Sequence, residues 1–568
     1  MPLRASRCFA LAIVVVATMV STAAIVATYS RLSNTTDEPI HVVAGLEFLQ
    51  DGRYAFWTEN PPLARVALAI IPYLRGARLP PPSNRPPGFF YDIFYGTPDY
   101  IGNVTAARVA NLFFFWMCIA LTWRLAGGGA DPWVAALASA AVATLPSIVA
   151  HSGFATTDIP FVASFLLVLV ALRRALERPD LTSGAWFGAA VGLALATKFT
   201  TLVFLPPAVA AIVASHSWDR RREWLTLSAA RSIGIFAVAA APVAMLVVWA
   251  CYGFHIGRLS ELPQRFGPFG GMPTTGWPAA IRNWRIPGHE FLHGLLYLQA
   301  HTIWGHPSTL FDQFSQRGFL IYYPVVLATK TPLPFVALAG LGLFGLIRTR
   351  GQRGRSWFVG LALGALGVLL VSLTSPINLG SRHVLVIYPL VALAAAFGVV
   401  RVAERTGRIL IAAAVAVACI GTQAVLLVAI MPNQITFFNV LAGSEPAYIS
   451  SDSDFDWGQD LLAMEKYFRL HHVPELYVAL SGTAKPCALV LPPLKGLPTH
   501  PVSGWIAVSE RIYRQNRGRI AKDPCGGSVL FTSNGMSAPA GWLNWLKTRQ
   551  PTAIIGKTIR LYNVQETP

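Results

Sequence analysis

Long apolar stretches recur along the chain and are separated by shorter polar connections. A helix needs about 20 apolar residues to span a bilayer. The segments that approach this length are 8–29, 104–126, 133–150, 158–173, 183–197, 200–216, 231–253, 320–347, 356–374, 383–400 and 408–430. The pattern therefore predicts an α-helical multispan membrane protein with about 11 transmembrane helices.

Basic residues are distributed unequally between the two sets of connections. Arginines cluster on one side, as in the pairs Arg173 and Arg174 or Arg348 and Arg350, whereas the short connections on the other side hold only Lys198 and Arg382. Positive residues accumulate on the cytoplasmic side of membrane proteins. We therefore expect the N-terminus inside and the C-terminus outside.

Polar regions of substantial length all fall on the expected outer side. The first outer loop, 31–103, contains two stretches with helical apolar periodicity, near 40–49 and 63–74. Amphipathic helices between spans are typical of membrane surfaces, so two surface helices are expected there. The second large outer loop is 254–319. These loops belong to a membrane part that we delimit as 1–432.

Residues 433–568 read as a small extracytoplasmic α/β domain. The helical stripe Trp457, Leu461, Met464 and Phe468 is followed by β-rich runs at "ELYVALSG", "GWIAVSE", "GGSVLFTS" and "TAIIGKTIRLYNV". Cys487 and Cys525 fall in this polar region, where an oxidising compartment would allow one disulfide.

Composition narrows the functional classes. The chain is 54% hydrophobic and only 13% charged, which fits an integral membrane protein. The formal net charge of +18 could suggest nucleic acid as a partner. The basic residues form short clusters between apolar runs rather than one polar face, so they indicate membrane topology and no nucleic-acid partner.

Three carboxylates stand out at the expected outer ends of spans. Asp37 and Glu38 follow the first apolar segment, and Asp158 lies in "HSGFATTDIPF". Capping of a helix N-terminus is the alternative interpretation of the first two. Ionisable residues at a membrane boundary are otherwise candidates for function. Together the three predict an active site that faces outward.

Cations are few on that same side. Arg108, Lys198, Lys330, Arg382 and His383 all lie at outer ends of apolar segments. Each of them could simply extend toward lipid headgroups. If several converge beside the carboxylates, they would instead bind a phosphate by charge-assisted hydrogen bonds.

Three short motifs point to other chemistry but are weak. "HEFLH", His289 to His293, matches the H-E-x-x-H zinc pattern. A membrane metalloprotease is therefore an alternative function, with His289 and His293 as weakly supported candidates for metal ligands. "DSDFDWGQD", from Asp452, imitates a calcium loop with a displaced glycine. Acidic capping of the following helix explains it more simply. "GLGLFG", from Gly340, lies inside an apolar span and predicts close helix packing.

Several motifs together resemble a known family. In order they are "TTDEP", "NPPLARV", "AARVANL", "HSGFATTDIP", "ALATKFT", "YYPVVLATKTPLPF", "NLGSRHVLVIYPLV" and "DSDFDWGQDL". They resemble the polyprenyl-phosphate-sugar-dependent glycosyltransferases of the GT-C superfamily, similar to protein O-mannosyltransferases (glycosyltransferase family 39) and lipid A aminoarabinose transferases. The resemblance covers about residues 30–470 and implies a GT-C-like membrane catalytic domain.

The resemblance also implies site roles and partners. Asp37 would be the general base, with Glu38 and Asp158 as further active-site carboxylates. Arg108 and Arg382 would bind the donor phosphate, and Lys198, Lys330 and His383 carry over less directly.

The implied enzyme moves a hexosyl or pentosyl unit from a polyprenyl-phosphate donor, with inversion, on the outer face of the cell (inner) membrane. The acceptor, whether protein, lipid or glycan, stays open, as does a divalent metal. A lipid or sugar transporter is the remaining alternative.

Overall fold

The computed structural model describes residues 3–86, 88–219, 227–264, 271, 282–521, 525 and 535–565. Its α-helices are Leu3–Tyr29, Glu38–Asp51, Pro62–Leu74, Tyr100–Arg108, Ala110–Leu125, Pro132–Ala143, Pro146–Ser152, Asp158–Glu177, Leu181–Thr197, Thr200–Asp219, Leu227–Cys251, His289–Trp304, Tyr322–Lys330, Leu333–Arg348, Arg355–Ser372, Ile387–Thr406, Ile409–Ala429, Leu461–Leu470, Glu510–Gln515 and Asn544–Lys547. Its strands are Ile256–Gly257, Ile286–Pro287, Ser308–Leu310, Gln313–Ser315, Leu476–Ala479, Leu494–Gly496, Gly504–Ser509, Gly518–Ala521, Gly535–Ala538, Ala553–Ile555 and Ile559–Val564.

The membrane part is a helical bundle. Of the described helices, 8 are long and apolar enough to cross a membrane, and two bent pairs raise the total to as many as 10. A further predicted span, Leu181–Thr197, has 17 residues. The multispan helical fold is therefore confirmed, whereas the number of spans stays a prediction.

Proline explains both bends. The helices Pro132–Ala143 and Pro146–Ser152 meet at 62°, and Tyr322–Lys330 meets Leu333–Arg348 at 108°. Leu145 and Thr331, the residues at the two breaks, have extended backbones. Each stands directly before a proline, and the proline ring disfavours the helical conformation of the preceding residue.

Small residues allow two spans to approach closely. A Cβ added at Gly342 would lie 2.2 Å from the Ala395 carbonyl oxygen, and one at Gly398 would lie 1.8 Å from the Gly342 carbonyl oxygen. The "GLGLFG" segment therefore serves as a packing surface between Leu333–Arg348 and Ile387–Thr406, as its apolar context predicted.

The first outer loop differs from its prediction. The helix Glu38–Asp51 is buried from Glu38 to Glu47, so it packs on all sides instead of lying on a surface. The helix Pro62–Leu74 covers one of its faces, where a Cβ on Gly45 would lie 2.1 Å from the Arg65 carbonyl oxygen. The second helix is amphipathic and leaves Leu74 77% exposed. Buried packing fixes the start of Glu38–Asp51 in position.

The C-terminal region contains a five-stranded sheet. Its strand order is Ala553–Ile555, Ile559–Val564, Gly504–Ser509, Leu476–Ala479 and Leu494–Gly496. Ile559–Val564 is antiparallel to both of its neighbours, whereas Leu476–Ala479 is parallel to both of its neighbours. The strand Leu494–Gly496 was not predicted, and the predicted run 526–533 lies outside the described residues. A disulfide joins Cys487 and Cys525, whose Cα atoms are 5.3 Å apart.

Candidate functional site

A cavity of about 180 Å³ lies where the outer loops, the ends of the spans and the C-terminal region meet. It brings together five of the predicted site residues, which are Asp37, Asp158, Lys198, Arg382 and His383. Polar side chains from other segments also line it: His41, Glu59, Asn60, Arg65, Thr157, His301, His306 and Arg511. The cavity is therefore rich in charge although it sits beside an apolar bundle.

Asp37 occupies the N-cap position of the helix Glu38–Asp51, but its carboxylate makes no capping hydrogen bond within the described structure. Arg382 Nη1 donates to Asp37 Oδ2 over 2.7 Å. The Asp37 side chain is 27% exposed, more than those of Asp158, Lys198 and Arg382. The capping interpretation therefore does not describe this carboxylate, which faces the cavity.

Asp158 is the buried centre of the charged cluster. Lys198 Nζ donates to its Oδ1 over 2.6 Å, and Thr156 Oγ1 donates to its Oδ2 over 3.1 Å. Arg382 Nη1 lies 3.9 Å from Asp158 Oδ2. One carboxylate thus orients the two cations, and only 2% of its side chain is exposed.

Arg382 makes two further contacts besides those with Asp37 and Asp158. Its guanidinium lies 4.4 Å from the centre of the Trp457 ring, and its Nε donates to the Leu379 carbonyl oxygen. Burial alone would lower the pKa of Arg382, but the carboxylates of Asp37 and Asp158 raise it above its usual value. The residue therefore stays charged. The nearby Gly380 has φ +77° and a Cβ there would clash with Asp454, so only glycine fits this turn.

Glu38 and Arg108 form a separate, closed pair. Arg108 Nε and Nη2 donate to the two Glu38 oxygens over 2.7 and 2.8 Å, and Nη1 and Nη2 also donate to the carbonyl oxygens of Leu32 and Ser33, respectively. Glu38 also accepts from the backbone N–H groups of Thr35 and Ala155. Both side chains are 0% exposed. In the described structure neither lines the cavity, so this placement favours a positioning role.

Lys330 and His383 are placed differently from each other. Lys330 Nζ is buried and donates to the carbonyl oxygens of Ile435 and Asp454, away from the cavity lining as described. His383 lines the cavity, and its Nδ1 lies 3.0 Å from the Tyr323 hydroxyl. Of the predicted phosphate ligands, Arg382, Lys198 and His383 are thus accessible from the cavity.

The structure adds a chain of polar contacts that the sequence did not predict. Glu59 Oε1 lies 2.5 Å from His301 Nδ1, His301 Nε2 lies 3.4 Å from His306 Nδ1, and His306 Nε2 lies 3.1 Å from Asp452 Oδ2. Asp452 Oδ1 is 3.2 Å from Arg511 Nη1. The segment "ENPPL" and the two histidines can be read from the sequence. No sequence pattern indicated, however, that Glu59 and His301, which are 242 positions apart, would be in contact.

The "DSDFDWGQD" segment corrects the capping interpretation. Asp460 makes no side-chain capping bond to its helix within the residues described, and instead accepts from Lys557 and Thr558. Asp454 accepts from the Ser381 N–H and hydroxyl. Trp457 lies under Arg382. These acidic residues are buried because they connect the membrane part to the C-terminal sheet.

The "HEFLH" motif has other partners than a metal ion. His293 Nδ1 lies 2.7 Å from the Thr58 hydroxyl and its Nε2 lies 2.9 Å from the Pro263 carbonyl oxygen. His289 Nδ1 lies 3.0 Å from Glu290 Oε2. In the described part of the chain, no group of three or more His, Cys, Asp or Glu side chains is placed to hold a metal ion. Both ring nitrogens of His293 thus have protein partners, and a zinc site at this motif stays a hypothesis.

Comparisons with known proteins agree with this architecture. Residues 84–251 match the sequence model of the family described as dolichyl-phosphate-mannose-protein mannosyltransferase. The apo structure of ArnT from Cupriavidus metallidurans is 15% identical with a TM-score of 0.50, over 92% of this chain and 97% of that chain. Comparison with curated protein sequences found no match.

Two further solved structures were found. ArnT from Cupriavidus metallidurans bound to undecaprenyl phosphate is 14% identical, with a TM-score of 0.47 over 91% of this chain and 97% of that chain. The archaeal oligosaccharyltransferase AglB from Archaeoglobus fulgidus, in complex with an inhibitory peptide and a dolichol-phosphate, is 12% identical. Its TM-score is 0.45, over 74% of this chain and 55% of that chain.

The chain therefore has an ArnT-like multispan helical fold, with a charged cavity beside the bundle. The match to the mannosyltransferase family and the fold that it has in common with apo ArnT confirm the resemblance inferred from the motifs.

Proposed function

We propose that the protein is a membrane glycosyltransferase that moves a monosaccharide from a polyprenyl-phosphate donor to an acceptor hydroxyl on the outer face of the membrane. The observation that carries this proposal is the convergence of Asp37, Asp158, Lys198 and Arg382 in one cavity, although Asp37 and Arg382 are 345 positions apart. Carboxylates beside paired cations suit a reaction that removes a proton and releases a phosphate.

In the proposed reaction the acceptor oxygen attacks C1 of the sugar. A new oxygen–C1 bond forms, the bond from C1 to the phosphate oxygen breaks, and its electron pair leaves with the polyprenyl phosphate. The hydroxyl proton passes to a carboxylate. Attack opposite the leaving phosphate inverts C1, which is the stereochemistry that we propose.

Asp37 is the best-placed base because it is the most accessible carboxylate of the cluster. Its one hydrogen-bond partner among the described residues is Arg382, whereas Asp158 is buried and contacts both cations. A phosphate that binds Arg382 would compete with Asp37 for the guanidinium. Donor binding would thereby release the Asp37 carboxylate to accept a proton.

Arg382 and Lys198 are proposed to stabilise the leaving phosphate. Both cations are aligned by Asp158, which limits the reorganisation needed as negative charge develops on the phosphate oxygens. Glu38 and Arg108 are proposed to fix the backbone on which Asp37 stands. Their contacts reach Thr35 on one side and Ala155 on the other.

The outer location is proposed from charge and redox chemistry. Arginine clusters predict the opposite side of the bundle as cytoplasmic. The Cys487–Cys525 disulfide of the C-terminal region suits an oxidising compartment. The cavity lies against that same region, through Arg511.

Replacement of the base tests the proposal. Purified Asp37→Asn protein should transfer sugar about 10²–10⁴ times more slowly than wild type, because general base catalysis contributes about that factor. Products formed from a panel of polyprenyl-phosphate sugars and envelope acceptors would be followed by mass spectrometry.

A matched control is Asp92→Asn, which changes an exposed carboxylate of the same loop that pairs with Lys485. It should keep wild-type turnover. Wild-type turnover of Asp37→Asn would contradict the assignment of the base, and a wild-type protein that forms no product with any lipid-linked sugar would contradict the proposed reaction.

A further inference from the structure

His301 and His306, the two imidazoles in the cavity wall, make more hydrogen bonds as donors than two neutral rings could provide. His301 Nδ1 contacts a Glu59 oxygen, and His306 Nε2 contacts an Asp452 oxygen. An ionised carboxylate only accepts hydrogen bonds, so each of these nitrogens has to donate. A neutral imidazole carries one N–H. With both rings neutral, the two lone pairs would face each other across the 3.4 Å between His301 Nε2 and His306 Nδ1.

The carboxylates of Glu59 and Asp452 are both ionised at neutral pH. Burial alone would raise the pKa of Glu59, but the contact with His301 lowers it to about 2. Burial likewise opposes ionisation of Asp452, and Arg511 with His306 nevertheless holds its pKa below the usual value. The carboxylates therefore remain acceptors, and one additional proton between the rings satisfies all three contacts.

The contacts alone would allow either ring to carry that proton, and the burial of His306 favours His301. Burial lowers the pKa of His306, although Asp452 opposes the effect. A neutral His306 donates from Nε2 to Asp452 and accepts at Nδ1. His301, protonated on both nitrogens, then donates to Glu59 and to His306. Each of the three contacts then has one donor and one acceptor.

The additional proton changes the charge of the cavity. Of the residues described, the carboxylates of Asp37, Glu59, Asp158 and Asp452 line it or stand directly behind its wall. The cations that line it are Arg65, Lys198, Arg382 and Arg511. These fixed charges cancel, so the protonated imidazole pair leaves the cavity with one net positive charge.

We propose that His301 and His306 hold one additional proton between Glu59 and Asp452, and that the cavity binds a singly charged phosphodiester tightly only while this proton is present. The inference rests on the proposed function, since the donor is a phosphodiester. It extends that function by making substrate binding depend on pH.

The groups that face the pair come from three segments. Glu59 and Arg65 belong to the first outer loop, Asp452 and Arg511 to the region after the last span, and His383 to the turn before the helix Ile387–Thr406. Among these groups, the proposal assigns the change of charge to the imidazole pair. Binding is therefore expected to be strongest at low pH and to weaken as the pair loses its proton with rising pH.

Binding of methyl farnesyl phosphate to the detergent-solubilised full-length protein tests the inference. This phosphodiester keeps a single negative charge throughout the range, so its own titration does not contribute. Affinity measured by calorimetry from pH 5 to pH 9 should fall in wild type with a limiting slope of about tenfold per pH unit, as one linked proton requires. His301→Gln should bind weakly at every pH, with a flat profile.

The exposed histidine variant His472→Gln is the matched control and should follow wild type. Nitrogen shifts of ¹⁵N-histidine-labelled wild type at pH 6 should include a ring with both nitrogens protonated whose signals are absent from His301→Gln. This readout needs no substrate. A flat wild-type profile, or an unchanged slope in His301→Gln, would contradict this inference alone. Absence of binding at every pH would contradict the proposed donor class as well.

Discussion

Asp37 and Glu38 are neighbours in the sequence, and each pairs with an arginine in a different environment. The Glu38–Arg108 pair is fully buried, bidentate and completed by backbone groups. The Asp37–Arg382 pair has one short contact, and its carboxylate is 27% exposed to the cavity. In the first arrangement both carboxylate oxygens are already paired and both side chains are fully buried, whereas the second pair is open to a ligand from the cavity.

The difference between the two pairs shows how the adjacent residues Asp37 and Glu38 can serve two purposes, contact with a ligand and support of the backbone. A closed pair resists rearrangement because either partner alone would be a buried, uncompensated charge. An open pair can exchange its partner for a ligand at lower cost. Because the two carboxylates are adjacent, the closed pair fixes the position of the open one. The two pairs should therefore respond differently to mutation.

The largest expected effect is on the closed pair. Arg108→Gln should lower the free energy of unfolding by about 3–5 kcal/mol, because it leaves Glu38 charged and buried. Thermal unfolding in detergent would measure the loss. The double variant Glu38→Gln, Arg108→Gln should recover part of it, since no unpaired charge remains. Equal stability of Arg108→Gln and wild type would remove the distinction between the two pairs.

The next effect is on the open pair. Arg382→Gln should slow sugar transfer by about 10²–10³-fold, the usual cost of one donor to developing charge. Its stability should change by only about 1 kcal/mol, since Asp37 can be hydrated and Asp158 keeps Lys198. Turnover and unfolding would be measured on the same preparation.

Arg382→Lys provides the control for charge without the planar guanidinium, and its turnover should lie between the other two. If Arg382→Gln unfolded like Arg108→Gln, the pair would be structural, and the proposed role of Arg382 would be wrong.

The spans could be predicted because they depend on local composition. Each predicted apolar segment corresponds to an apolar helix, and the two that bend do so where Pro146 and Pro332 follow an extended residue. Burial of the helix Glu38–Asp51 was missed. Its surroundings come from the helix Pro62–Leu74 and distant loops, and apolar periodicity carries no information about which partners cover a helix.

The site was predictable only in part. The order of the motifs resembles that of a known family, and this resemblance predicted that Asp37, Asp158 and Arg382 belong to one site. The cavity contains all three residues. Their chemical roles stay predictions. The chain from Glu59 to Arg511 was missed because its contacts join four separate segments, which only the folded chain brings together. Buried aspartates of "DSDFDWGQD" were misread for the same reason.

Asp456 extends the comparison to a buried carboxyl whose hydrogen bonds, in the described part of the chain, come from backbone groups rather than from a cationic side chain. It accepts from the backbone N–H groups of Gly458 and Arg511, and burial raises its pKa to about 7. A carboxyl with a raised pKa in the folded state stabilises the fold fully below about pH 4, and this stability is lost as pH rises to 7. The limiting slope is about 1.4 kcal/mol per pH unit.

The melting temperature of wild type should therefore fall between pH 4 and pH 7 relative to that of Asp456→Asn, whose side chain cannot ionise. Asp454, whose pKa is lowered despite burial by Lys330 and His151 among others, supplies the contrast. Asp454→Asn should lose stability mainly at higher pH, where the wild-type carboxylate is charged and paired. Parallel melting curves for wild type and Asp456→Asn across this range would mean that Asp456 is ionised in the fold, and that its backbone contacts compensate for burial as fully as Arg108 does for Glu38.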